Sequence, residues 1–87
     1  MFSKEVLVTN PVGLHARPAT YFIHSANDFK SNIWISRDDK KVNAKSLLGV
    51  LSLGISRGMS ITITADGADE EEAVNSLVEL ILSNFEE

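Results

Sequence analysis

The segment "SNIWISRDDKKVNA" (residues 31–44) alternates apolar and polar side chains on either side of two consecutive aspartates. Ile33 and Ile35 fall on one face of an extended chain and Trp34 on the other, while Asp38 and Asp39 supply a turn, so the segment reads as a β-hairpin. Two further stretches share the period of two. In "KEVLVTN" (residues 4–10) Val6 and Val8 share a face, and in "ITITADG" (residues 61–67) Ile61, Ile63 and Ala65 do. Between and after the strands the period changes to that of a helix. Residues 16–27 set Ala16, Ala19, Phe22, Ile23 and Ala26 on one stripe, and residues 69–85 do the same with Val74, Leu77, Val78, Ile81 and Phe85. Asp69 to Glu72 form an acid-rich first turn after Gly67, which suits the positive end of a helix dipole. A short third helix is expected in "SLLGVLSLG" (residues 46–54). The order βαββαβα, without repeats or linkers, predicts an α+β fold in which an antiparallel sheet is covered on one face by helices. Trp34 then stands on the open face, where a single aromatic needs no functional explanation.

With 87 residues the chain is expected to form one domain with one small core. A core of that size leaves little room for an enclosed substrate pocket, so chemistry is expected on the surface or in a pocket borrowed from a partner. The absence of cysteine excludes disulfides, thiolate catalysis and the usual zinc sites, and fits a reducing, cytoplasmic location. No segment has the apolar run of a signal peptide or a membrane span. The net charge of −4 hides an asymmetry: residues 1–60 hold all eight Lys and Arg against four acids, +4, whereas residues 61–87 hold eight acids and no base, −8. Such a split describes either two solvated faces or a basic face for acidic partners or phosphate. Few bases, no interleaved aromatics and a negative total argue against nucleic acid.

The stretch "NPVGLHARPAT" (residues 10–20) places a histidine between a Pro/Gly turn and a helix. Asn10, Pro11 and Gly13 mark the turn, His15 stands near the helix N-cap, and Pro18 fits the first turn, where a missing N–H costs little. The free N–H groups of Ala16 and Arg17 can then point at an anion beside the imidazole, and the Arg17 guanidinium suits a phosphoryl group. A neutral imidazole nitrogen is a nucleophile that needs no base to deprotonate it. These are the parts of a phosphoryl acceptor. They are also the parts of a simple helix cap with a solvated arginine, and the spacing alone does not separate the two.

"GLHARPAT" (residues 13–20) together with "KSLLGVLSLGISRG" (residues 45–58) closely resembles the HPr family, the histidine-containing phosphocarrier proteins of the bacterial phosphoenolpyruvate-dependent sugar phosphotransferase system. The resemblance extends over nearly the whole chain. It implies an open-faced β-sandwich of four antiparallel strands and three helices, in agreement with the periodicity. It also implies that His15 receives phosphate from Enzyme I, as a pros-phosphohistidine, and passes it to IIA domains of sugar permeases, assisted by Arg17. The implied protein is a cytoplasmic, monomeric carrier of residues 1–87 that needs no cofactor or metal, inserts in no membrane and depends on partner enzymes for catalysis.

Ser46 precedes an apolar run and so suits an N-cap. The resemblance adds that it matches the serine modified by the HPr kinase/phosphorylase in Gram-positive bacteria and some others, where the phosphorylated form joins the catabolite-control repressor. A phosphate carrying about −1.5 to −2 charges is tolerated at a helix N-terminus. The helix after Ser46 is too apolar to bury every side, and in the family the positions of Leu47, Leu48 and Leu51 contribute to a docking patch. On the first helix Arg17, Thr20 and His24 lie within about 60° of one another, opposite the core stripe, and extend that surface. His24 lacks the turn and the helix end of His15 and reads as a solvated or interface histidine. The alternative to a carrier is a regulatory binding module in carbon catabolite control, or a parallel phosphorelay, with His15 secondary. A paralogue that keeps the serine but lacks the active histidine is disfavoured by His15 itself.

Overall fold

A computed structural model describes residues 1–83, with only the backbone of Ala16 included. The element order is β1 (Phe2–Leu7), α1 (Ala16–Asn27), β2 (Asn32–Arg37), β3 (Lys40–Asn43), α2 (Leu47–Ser52), β4 (Ser60–Asp66) and α3 (Glu70–Leu82), the expected βαββαβα. The sheet runs β1-β4-β2-β3 with every neighbouring pair antiparallel. The last strand is thus inserted between the first two, and α1 and α3 are carried over one face.

Register follows from the apolar alternation, because a slip of one residue would turn every core side chain to solvent. Val6 lies opposite Ile61, Ile35 opposite Ile63 and Ile33 opposite Ala65, and all six are buried. Ala19, Phe22 and Ala26 of α1 and Ala73, Val74, Leu77 and Ile81 of α3 close the core from above. Ile23 and Val78, expected on the same stripes, are half-buried at its margin. Ala16 as a core side chain and Phe85 at the end of the α3 stripe lie outside the described residues.

The hairpin turns at Asp38 and Asp39 as expected, with Asp38 in the left-handed region at φ 54°. On the open face Ser3 donates a hydroxyl hydrogen bond to Thr64 across the β1–β4 pair (2.9 Å). Trp34 is less exposed than an isolated aromatic would be, since the Lys41 ammonium sits 4.9 Å from its ring centre.

The start of α3 departs from the simple dipole picture. Asp69 occupies the N-cap but makes no side-chain bond to its own helix. Its carboxylate instead accepts from the backbone N–H groups of Lys30 and Ser31, each at 2.9 Å, and from the Ser31 hydroxyl. The Ser31 hydroxyl and then the Lys30 N–H hold the Asp69 carboxyl down at about 2, against an ordinary 3.8. Glu70 takes over at the helix end, accepting from the Gly67 N–H at 3.1 Å. This latch joins the loop after α1 to α3, a link between residues far apart in sequence.

Candidate functional site

His15 is the N-cap of α1, with extended backbone (φ −119°, ψ 156°) and no side-chain bond into the helix. Its ring is half-buried and does not serve as a cap hydrogen-bond acceptor, unlike the Ser46 hydroxyl at the other helix start described below. Ala16 and Arg17 are the first two helical residues, where backbone N–H groups lack a carbonyl one turn back. Pro18 is the third, so its ring removes a donor that the helix would not have used. Arg17 is exposed.

The approach to His15 is held from outside its own helix. Gly13 adopts φ +68°, and a Cβ there would lie 2.4 Å from the Ile55 carbonyl oxygen and 2.7 Å from the Ser56 Cα. Only glycine tolerates both the angle and the contact. Leu14 is fully buried, and its N–H donates to the Ile55 carbonyl at 3.0 Å. Residues 54–59, between α2 and β4, therefore form the wall against which the histidine loop leans; Met59 stiffens it by accepting the Ser56 N–H on its sulfur at 3.3 Å.

Helix α2 lies beside α1 and divides its apolar side chains by height. Val50 and Leu53 are buried, whereas Leu48 is 81% exposed and Leu47 and Leu51 are 37% and 36% exposed. The three outward leucines are those that the family resemblance implies for docking. At the start of the helix, directly before Leu47, Ser46 is the N-cap, its Oγ accepting from the Gly49 N–H at 3.2 Å, and the absence of a side chain at Gly49 leaves room beside that oxygen. Two basic residues fasten the helix. Lys45 Nζ donates to the Phe29 carbonyl and Arg37 Nη1 to the Leu53 carbonyl, each at 2.7 Å, so neither charge is free to act purely as a surface cation.

Arg17, Thr20, Tyr21 and His24 line a shallow depression of about 300 Å³ on α1. The three residues expected to share a face do so; Tyr21 joins them. A larger groove of about 740 Å³, between α1 and α3, includes neither His15 nor Ser46. Among the described residues no group of three or more His, Cys, Asp or Glu could hold a metal, and no helix is long and apolar enough to cross a membrane. Three contributors escaped the sequence reading. Asn10 was legible only as a turn residue, and Arg37 and Ile55 carried no local signal, since each acts on a residue that only the tertiary fold brings near.

Fold and site together define a small open-faced α+β sandwich that displays a histidine at a helix N-terminus beside an exposed arginine and a leucine-studded short helix. A family model described as the PTS HPr component phosphorylation site matches residues 2–83, and the chain belongs to the HPr family of phosphocarrier proteins. It is 48% identical over 81 residues to the HPr-like protein Crh of Halalkalibacterium halodurans, covering 93% of this chain and 96% of that one. It is 39% identical over 87 residues to the phosphocarrier protein HPr of Neisseria meningitidis serogroup A, covering 100% and 98%. The crystal structure of HPr-C-His from Thermoanaerobacter tengcongensis superposes with a TM-score of 0.96 at 50% identity, over 100% of this chain and 99% of that one.

Proposed function

We propose that this protein carries a phosphoryl group on His15, taking it from phospho-Enzyme I and giving it to IIA domains of sugar permeases. The observation that carries the reading is the His15 N-cap: a side chain with no bond into the helix, on the residue directly before Ala16 and Arg17, the first two residues of α1. In the transfer, the lone pair of a neutral His15 ring nitrogen forms a bond to phosphorus as the bond from phosphorus to the donor's phosphorylated atom breaks; that electron pair stays with the donor, which takes up the proton released from the His15 ring. The first-turn N–H groups and the Arg17 guanidinium then hold the phosphoryl oxygens. Leu47, Leu48 and Leu51, with Thr20 and His24, supply the docking surface, and the donor and acceptor enzymes supply the rest of each active site. The reading takes residues 1–87 as one cytoplasmic carrier domain acting as a monomer.

A second role is favoured by Ser46. Its hydroxyl is half-exposed at the start of α2, next to the outward leucines, so a phosphate there would alter the docking surface directly. The similarity to an HPr-like protein Crh supports regulation of this kind, through an HPr kinase/phosphorylase and a catabolite-control repressor.

Incubation with phosphoenolpyruvate, Mg²⁺ and Enzyme I tests the first reading. Acid-labile phosphate is expected on the wild type and on His24→Ala, and none on His15→Ala. Retained label in the His15 variant would remove the assignment.

A further inference from the structure

We infer that Asn10 is a positioning residue for His15, an inference that rests on the carrier reading above. Asn10 is 3% exposed, and its Nδ2 donates to the Gly13 carbonyl at 2.8 Å. The peptide between Gly13 and Leu14 is thereby held on both edges: its C=O by Asn10, and its N–H by the Ile55 carbonyl at 3.0 Å. The second grip matters because of the residue that precedes that peptide. Gly13 sits at φ +68°, and a glycine permits a peptide plane to turn over at small cost. His15 is attached directly beyond Leu14, so rotation of that plane would re-aim the imidazole relative to the first turn of α1.

The Asn10 side chain also carries a cost that stability alone would not favour. Its Oδ1 is buried without a hydrogen-bond partner, the one such side-chain atom among the described residues. A buried polar atom left unpaired destabilises a fold, and its retention next to a functional loop points from the exception to a role. The Asn10 backbone carbonyl already closes the turn by accepting the Gly13 N–H at 3.2 Å. An apolar residue could therefore make the turn; only the side-chain amide fixes the plane that follows it.

Asn10→Leu and Asn10→Asp, of similar size, both remove the donor. Transfer from phospho-Enzyme I would be followed at limiting and saturating carrier, and the His15 and His24 imidazoles by ¹⁵N-edited NMR. In folded variants the maximal rate is expected to fall about tenfold with KM unchanged, because the docking leucines are untouched, and the His15 ring signals to shift while those of His24 stay. Unchanged maximal rate and unchanged His15 signals in a folded variant would overturn the inference. If the wild type accepts no phosphate, the carrier reading fails, and the imidazole spectra still decide whether Asn10 orients the ring. If neither variant folds, the wild type decides: Asn10 side-chain amide protons exchanging as fast as those of exposed Asn75 would refute the clamp, and protected ones support it.

Discussion

Gly13→Ala perturbs the histidine loop at its tightest point. An alanine at φ +68° carries about 1–2 kcal/mol of left-handed strain. The new methyl would also stand 2.4 Å from the Ile55 oxygen and 2.7 Å from the Ser56 Cα, both backbone atoms that cannot swing aside as a side-chain tip would. Relief requires the loop and the 54–56 wall to separate, straining the Leu14–Ile55 hydrogen bond, for a further cost of about 1–3 kcal/mol. A central total of about 3.5 kcal/mol corresponds to a fall in Tm of about 14–28 °C for a domain of this size. Thermal unfolding by circular dichroism measures it. Below the lowered Tm, the folded fraction should still accept phosphate from Enzyme I at least about tenfold more slowly, since displacement of the loop moves His15 from its place at the helix end. A Tm within about 4 °C of wild type, with unchanged labelling, would refute the close approach and the argument built on it.

On α2, Leu48→Glu should weaken association with Enzyme I, read by titration calorimetry, while leaving Tm within a few degrees; Val50→Glu should instead destabilise the domain by more than about 3 kcal/mol, because it buries an unpaired carboxylate. Equal effects of the two on Tm would place the whole helix in the core. The Asp69 latch predicts an acid dependence. The folded-state value of about 2 lies below the ordinary 3.8, so the latch stabilises the fold above pH about 4 and is lost as pH falls toward 2. Asp69→Asn should lower Tm by several degrees at pH 7 and flatten the loss between pH 4 and 2; a wild-type curve already flat there would contradict the latch. Ser46→Asp should keep the fold, retaining an N-cap acceptor, yet slow labelling of His15 by adding charge beside the leucines, with the deficit shrinking at high salt. Equal rates for wild type, Ser46→Asp and Ser46→Ala would leave Ser46 as a helix cap.

Much of this was legible before any coordinates, for reasons that are local. Alternation in residues 31–44 and 61–67 named the inward side chains Ile33, Ile35, Ile61, Ile63 and Ala65, because a strand has no other way to bury one face. The Pro18 and Ser46 positions announced two helix starts, since ring and hydroxyl are each suited to a first turn or a cap. The position of His15 at the start of the first helix followed from the same logic, whereas its reading as a phosphoryl acceptor came only from the resemblance to the HPr family. Composition also showed that α2 had more leucines than it could bury, though not which ones would emerge.

What the chain could not disclose depends on residues that meet only after folding. The choice of Leu48 as exposed and Val50 as buried depends on how α2 is rotated by Arg37 at one end and its Ser46 cap at the other. The need for glycine at 13 comes from Ile55 and Ser56, more than forty residues away, and the depressed Asp69 carboxyl from a loop thirty-eight residues upstream. Hydrogen bonds and close contacts of this kind act over a few ångströms and are indifferent to sequence separation. The local pattern therefore determined which elements form and what the histidine sits on, and the packing of those elements alone decided how firmly the loop beneath it is held.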